Sequence, residues 1–306
     1  MTLFFHTHTH SASESLAEGL LHDVLLDGVL DTLKVIPFLF LTYLLMEFIE
    51  HRASSRTFSI LSKSGSFGPA IGGVLGVLPQ CAFSAMAANL YTGRVITLGT
   101  LFAAFLSTSD EMLPMMISEN VSAGYILPIL AYKLGVAIFA GFAIDLVLSI
   151  RGKKKEDINI DQICENDNCH CERGIFHSAI HHTLTITAFI FVTTLIINLL
   201  IYFVGAERLG EAMGNIPVIS HLISAIIGLI PGCAISVALT SLGLHGIIST
   251  GTMLAGLFSG AGIGILILLR LNKRRRENLI IAALLVAIGF VFGMIADLVD
   301  FASLLK

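Results

Sequence analysis

The sequence predicts an all-α polytopic membrane protein built from two related halves. Charged residues make up only 13% of the 306 residues, against about 25% in soluble domains. The ranges 64–93, 174–206 and 212–269 contain no Asp, Glu, Lys or Arg. A membrane-spanning helix needs about 20 apolar residues, so the third range must cross or enter the membrane more than once. A motif that occurs once in each half relates the two halves to each other.

This motif occurs twice at a spacing of 152 residues. Residues 76–84 read GVLPQCAFS and residues 228–236 read GLIPGCAIS. The same spacing relates Asp145 to Asp297 without a gap, and these two are expected to be interfacial acids or gate residues. A Pro followed by small and polar residues in an apolar run indicates a helix broken at membrane depth, where many transporters bind their substrates.

Each half is predicted to hold three spans and one Pro-broken helical hairpin, which gives about ten transmembrane helices if each hairpin counts as two. The predicted segments are 26–50, 64–92, 95–118 and 121–150, then 177–205, 212–244, 246–269 and 278–302. The predicted domains are a polar, His-bearing tail (1–24), a first membrane repeat (25–150), a cytoplasmic Cys/His-rich linker (151–175) and a second membrane repeat (176–306).

Three basic clusters predict how these segments are oriented. They lie at 52–63, 151–155 and 270–276, and cytoplasmic loops are enriched in Lys and Arg. With all three clusters inside, 64–92 enters and leaves from the cytoplasm and 212–244 from the opposite side. The repeats are then inverted and both termini lie outside. The expected location is a bacterial-type plasma (inner) membrane.

An acidic pair inside the third segment is the strongest candidate for binding a substrate. Asp110 and Glu111 would each cost about 2.5–3.5 kcal/mol to insert into a bilayer, so they are expected to face a pore or the protein interior. Their counterparts in the second half are Gly262 and Ile263, so the acidic site belongs to one half. Lys133, in the fourth segment, can pair with one carboxylate and leave one net negative charge.

Neutral oxygens near the two Pro motifs extend this candidate site. Carboxylate, amide, hydroxyl and carbonyl oxygens suit hard or borderline divalent cations. For one motif alone, a Pro kink in a packed helix is an equal alternative. The predicted transport residues are Asp110, Glu111, Gln80, Asn89, Ser84, Ser107, Ser109, Lys133, Pro79, Pro231, Ser236 and Thr240.

Cysteines offer a second kind of metal ligand. Cys81 and Cys233 occupy corresponding places in the two motifs, where thiols suit thiophilic metals or trivalent arsenic, although buried Cys also serves as a small apolar filler. In the linker, three thiols and an imidazole fall within eight residues and predict a metal-capture site, with a solvated loop as the alternative. These linker residues are Cys164, Cys169, His170 and Cys171.

Several motifs together are similar to those of a known family. They are VLPQCAFS at 77–84, NLY at 89–91, ITLGTL at 96–101 and STSDE at 107–111. The chain resembles the ten-helix heavy-metal exporter family, whose members are described as arsenic-efflux permease-like proteins or manganese transporters. The resemblance covers most of the chain and implies metal-ion transport.

The expected function is secondary active export of a divalent metal ion by alternating access coupled to protons or sodium. The favoured ion is Mn²⁺. No enzymatic activity and no cofactor are expected. The expected partners are the metal ion and the lipid bilayer, with a homodimer left open and nucleic acid excluded. An arsenite or anion permease is the alternative, with Lys133 holding the substrate. An intramembrane enzyme or a metal-responsive sensor are alternatives from other classes.

Overall fold

A computed structural model describes residues 67–77, 81–108, 112–151 and 217–299, with scattered positions between 29 and 44 and between 180 and 196. The four continuous ranges contain ten helices and no strand. In chain order the helices are α1 (Gly68–Gly76), α2 (Cys81–Thr92), α3 (Leu98–Ser107), α4 (Met112–Ser118), α5 (Ala123–Ile150), α6 (Pro217–Gly228), α7 (Cys233–Leu244), α8 (Thr250–Ser259), α9 (Ile263–Leu271) and α10 (Arg275–Leu298).

The helices of the second half follow those of the first half at the spacing seen in the sequence. Helices α2 and α7 begin and end at corresponding residues, as do α3 and α8, and α5 and α10 begin at corresponding residues. The packing corresponds as well. Helix α1 packs on α3 and α5 as α6 packs on α8 and α10, while α2 packs on α9 as α7 packs on α4. The α3–α8, α2–α9 and α4–α7 contacts join the halves.

Two segments predicted to be continuous spans are broken in the middle. Helix α3 ends at Ser107 and the next helix begins at Met112, while α8 is separated from α9 by residues 260–262. Thr108 leaves the helical region with a ψ of 126°, and Gly262 has a φ of 53°. Ser, Thr and Asp compete for backbone hydrogen bonds and Gly weakens a helix, so polar residues cause the first break and glycines the second. Helix α10 begins three residues before its predicted start.

Helices α3 and α8 form the centre of the molecule. All residues of Gly99–Ser107 and Gly251–Ser259 are buried. In contrast, α5 and α10 expose large apolar side chains such as Phe139 and Leu279. Among the described residues, α5, α10 and the combined stretch Thr250–Leu271 are long and apolar enough to cross a membrane. The broken helices are therefore surrounded by protein, and long apolar helices face outward.

Helix α1 is too short to cross a bilayer and ends beside the break after α3. Its nine residues extend about 14 Å, roughly half of a hydrocarbon core of about 30 Å. A Cβ on Gly68 would lie closer than 3.0 Å to Thr100, and a Cβ on Gly76 would lie as close to Ser107. Helix α1 therefore runs beside α3 in the same direction.

Helix α6 has the same relation to α8. The Ser224 hydroxyl donates to Thr252 O at 2.7 Å near the start of α8, and the Ser259 hydroxyl donates to Ala225 O at 2.6 Å near its end. A Cβ on Gly228 would lie closer than 3.0 Å to Ser259 Oγ. Each Pro motif therefore follows a helix that ends next to a break.

Helix ends from both halves meet at one face of the molecule, which we call the basic face because Arg94 and Arg274 both lie next to Glu277 there. Arg94 precedes α3 and pairs with Glu277 at the start of α10, with Nη1–Oε1 at 3.0 Å and Nη2–Oε2 at 3.3 Å. The Tyr91 hydroxyl donates to the same carboxylate. This network joins the two halves.

The opposite face contains a neutral contact at the corresponding place. Tyr125 Oη lies 3.5 Å from Thr250 Oγ1, and these residues begin α5 and α8. Gly246 takes the position of Arg94, and both have positive φ, 70° and 59° respectively. The backbone geometry of this turn is therefore repeated in both halves, whereas the positive charge at the turn is present only in the first half, at Arg94.

Candidate functional site

The junction between the two halves contains a buried lysine. Lys133 lies on α5 and its side chain is fully buried. Its Nζ donates to Thr108 O at 2.5 Å and to Leu257 O at 3.4 Å. Thr108 caps the C-terminal end of α3, and Leu257 lies in the last turn of α8. Carbonyl groups at a helix C-terminus carry partial negative charge, so the ammonium is stabilised by one helix end from each half.

Hydroxyl groups hold the end of α3 in place next to this lysine. The Thr108 hydroxyl donates to Ala104 O at 2.6 Å, and the Ser107 hydroxyl donates to the same carbonyl at 3.1 Å. Because both side chains bind a carbonyl of the preceding turn, the Thr108 carbonyl is directed beyond the helix end towards Lys133. The predicted transport residues Ser107 and Lys133 therefore both lie at the break after α3.

Other predicted residues lie farther along the helices. Ser84 is buried on α2, and a Cβ on Gly264 at the start of α9 would lie 2.6 Å from Ser84 O. Asn89 is buried near the basic face, where its carbonyl accepts from Gly93 N at 3.0 Å. In the second half, Thr240 on α7 donates to Ser236 O at 2.7 Å. These contacts fix the residues in helices α2 and α7, which pack against the opposite half.

Pro231 lies in the break between α6 and α7, and Gly232 caps α7 with a φ of 156°. Cys81 and Cys233 begin α2 and α7, and only their backbone is described.

No group of three or more His, Cys, Asp or Glu that could hold a metal occurs among the described residues. The predicted residues outside the described part are Pro79, Gln80, Ser109, Asp110, Glu111, Cys164, Cys169, His170 and Cys171.

A pair of aspartates caps the two central helices. Asp145 Oδ1 accepts from Gly99 N at 2.8 Å and its Oδ2 accepts from Thr97 Oγ1 at 2.6 Å. Thr97 in turn accepts from Thr100 N at 3.1 Å as the N-cap of α3. Helix N-termini have unpaired N–H groups and partial positive charge, so the carboxylate of α5 stabilises the start of α3.

The second half repeats this arrangement and adds a histidine. Asp297 accepts from Gly251 N at 2.6 Å and from the hydroxyl of Ser249, the N-cap of α8. His221 Nε2 lies 3.1 Å from Asp297 Oδ2, and this His is nearly fully buried. The residue corresponding to His221 is Pro69. The capping role was missed in the sequence, although the repeated Ser/Thr-x-Gly-Thr pattern with an Asp 48 residues after its first member was a detectable signal.

We expect Asp297→Ala to destabilise the protein more than Asp145→Ala. Both changes remove a charged acceptor from a helix N-terminus, which costs about 1–3 kcal/mol. Asp297→Ala also leaves the nearly buried His221 without its carboxylate partner. Thermal unfolding in detergent measures the difference, with Glu119→Gln on an exposed turn as a control that should change little. Equal losses in the two Asp variants would show that His221 contributes nothing.

The chain matches the sequence model of a protein family. Its sequence model, described as "putative, 10TM heavy-metal exporter", matches residues 21–171, 146–250 and 175–306. No curated protein and no solved structure matches the chain. The family match confirms the resemblance inferred from the motifs. Because the matched segments together extend from residue 21 to residue 306, the chain belongs to this family of ten-helix heavy-metal exporters.

Proposed function

We propose that this protein exports a divalent metal ion, with Mn²⁺ as the preferred ion, by alternating access coupled to protons or sodium. The observation that carries the proposal is the buried junction of α3 and α8. Each of these two helices ends at a break in the middle of the molecule. Helix breaks at membrane depth are tolerated where they line a cavity or are buried in protein, and transporters use them to bind ions. Membership of a heavy-metal exporter family supports the same function.

Asp110 and Glu111 are the proposed metal ligands and proton acceptors. They follow Thr108 by two and three residues in the chain, and Thr108 O lies next to Lys133. In this proposal Lys133 neutralises one of the two negative charges, so the acidic pair keeps one net negative charge for the metal. Metal binding competes with protonation of a carboxylate, which would couple metal transport to protons.

The remaining ligands would come from the first Pro motif and helix α2. Gln80, Ser84, Asn89 and the carbonyls next to Pro79 are proposed to complete the metal shell with neutral oxygens. Support comes from the position of α1, which ends beside Ser107, and from the burial of Ser84 on α2. The second motif would mainly shape the pathway, because Gly232 and Gly262 replace Gln80 and Asp110 there.

We further propose that the two halves are inverted repeats, each with a re-entrant hairpin. The opposite orientation of the halves is supported by two contacts between them. Arg94 and Glu277 place the start of α10 beside the start of α3, whereas Tyr125 and Thr250 place the start of α5 beside the start of α8. The hairpins are supported by the half-length α1 and by α6, each of which is followed by a helix returning along the same central helix. The basic face would be cytoplasmic.

The linker at 151–175 would then lie in the cytoplasm between the repeats 25–150 and 176–306, with both termini outside. Its Cys164, Cys169, His170 and Cys171 are proposed to collect metal and deliver it to the membrane site. Deletion of 164–171 is expected to slow export at low metal concentration and leave export at high concentration intact. Complete loss at all concentrations would instead make the linker the main binding site.

Transport assays with purified protein in liposomes test this function. Mn²⁺ entry is recorded with an enclosed fluorescent indicator under an imposed pH or sodium gradient, and arsenite and sulfate are tested in parallel by isotope uptake. We expect gradient-dependent Mn²⁺ flux that protein-free liposomes lack. Flux of arsenite or sulfate without Mn²⁺ flux would instead favour the permease alternative, in which Cys81, Cys233 or Lys133 would hold the substrate.

A further inference from the structure

The ammonium of Lys133 lies where a free cation could also bind. We call this place the two-helix junction and define it by Lys133 Nζ, Thr108 O and Leu257 O. The two carbonyls come from the C-terminal parts of α3 and α8 and meet the ammonium at 2.5 and 3.4 Å. Carbonyls at the C-terminal ends of broken helices are the groups that bind alkali cations in transporters. The junction therefore has the chemistry of a monovalent cation site.

The ammonium is specific to one half. The residue corresponding to Lys133 on α10 is Leu285, which is equally buried. The repeated helix packing is therefore compatible with an apolar side chain at this position, and the architecture alone does not require a lysine. A buried charge is costly unless it is paired, so a specific interaction must compensate for the cost of Lys133.

We propose that Lys133 is a tethered cation occupying an alkali-cation site at the two-helix junction. Its ammonium binds the carbonyl ends of α3 and α8 and so connects the two halves without an ion from solution. Removing the ammonium would leave two carbonyls directed at a buried space that accepts Na⁺ or K⁺. The inference rests on the proposed function and deepens it in one respect: with Lys133 present, the two-helix junction needs no bound sodium, which favours protons over sodium as the coupling ion.

The stability of Lys133→Ala in different salts tests this inference. The purified variant is unfolded thermally in detergent while NaCl or KCl replaces choline chloride at constant ionic strength. A ligand that binds only the folded state raises its stability with concentration, and we expect the Tm to rise by about 2–4 °C for each tenfold increase in Na⁺ or K⁺ above the dissociation constant. The native protein should unfold at the same temperature in all three salts.

Leu285→Ala is the matched control, because it opens a space at the corresponding position without removing an ammonium. Its Tm should be the same in all three salts. The proposal is wrong if Lys133→Ala unfolds at the same temperature in NaCl, KCl and choline chloride, or if Leu285→Ala responds to Na⁺ or K⁺ equally. If Lys133→Ala yields no folded protein, Lys133→Ser is measured in the same way. Failure to recover either variant in any salt, with Leu285→Ala recovered, also contradicts the proposal.

The assay records unfolding and involves no transported metal, so its result is independent of the proposed export activity. A salt response in Lys133→Ala without Mn²⁺ flux in the native protein would support the junction site and refute the function. Mn²⁺ flux without the salt response would support the function and refute the junction site. Sodium-independent Mn²⁺ flux by the native protein, converted to sodium-dependent flux by Lys133→Ala, would link the two.

Discussion

Asp110→Asn is expected to lower the initial rate of Mn²⁺ transport by about a hundredfold or more. Loss of a residue that merely supports a metal ligand costs about 10–100-fold, and Asp110 is proposed to bind the metal itself. The amide keeps the shape of the side chain and loses both the charge and the proton-accepting site. Liposome uptake at several external pH values measures the rate, and the residual flux should no longer depend on the pH gradient.

Two comparisons make this result specific. Glu111→Gln should give a smaller loss if Glu111 is the carboxylate paired with Lys133, because Asp110 would still bind the metal. Glu119→Gln carries the same chemical change at an exposed turn after α4 and should transport at the native rate. If Asp110→Asn and Glu111→Gln both transport Mn²⁺ normally, the proposed oxygen site is wrong.

Gly99→Ala is expected to destabilise the folded protein by about 3 kcal/mol or more, at the upper end of overpacking effects. A Cβ at this position would lie closer than 3.0 Å to Gly141 O and to the Asp145 carboxylate. Neither atom can move freely, because one belongs to the backbone of α5 and the other caps α3. Thermal unfolding and the yield of monodisperse protein after size-exclusion chromatography measure the effect.

Gly135→Ala is the control for this prediction. Gly135 also lies on α5, but a Cβ there would meet nothing within 4 Å. Ala favours a helix over Gly by about 0.5–1 kcal/mol, so this variant should be at least as stable as the native protein. Gly251→Ala should resemble Gly99→Ala, since a Cβ there would approach Gly293 O and Asp297 just as closely. A tolerated Gly99→Ala would contradict the packing of α3 against α5.

The membrane class and the helix order could be predicted from local signals. Pro231 lies in the break between α6 and α7, as expected for a residue that lacks the N–H and clashes with the preceding turn, although Pro128 lies inside α5. The spacing of 152 residues between the motifs also relates the helix bounds of the two halves. The first signal lies within a few residues of the break, and the second is found by aligning the two halves of the sequence with each other.

The breaks after α3 and α8 were harder to predict. Ser107 and Gly260 are residue types that also occur inside continuous membrane helices, where neighbouring groups satisfy the backbone. The acidic pair at 110–111 predicted a special site in the third segment but not the end of a helix. The second break carries no charge, so its sequence signal consists of Gly260 and Gly262 alone.

The contacts of Lys133 and of the paired aspartates depend on long-range packing. The sequence predicted a carboxylate partner for Lys133, which stays a prediction, whereas the described contacts are to Thr108 O and Leu257 O. Backbone carbonyls are present at every residue and leave no sequence signature. In the same way, Asp145 becomes a helix cap only because α5 brings it to Gly99, 46 residues away.

The position of Lys133 limits how such a chain could have evolved. If two identical halves assembled as separate subunits, each would bring a lysine to the two-helix junction. The second ammonium would be directed at the same two helix ends, because the residues corresponding to Thr108 and Leu257 are Gly260 and Phe105. Two like charges in a buried site strongly disfavour each other. A single chain that holds both halves avoids this repulsion, because one half can have Lys133 while the other has Leu285 at the corresponding position.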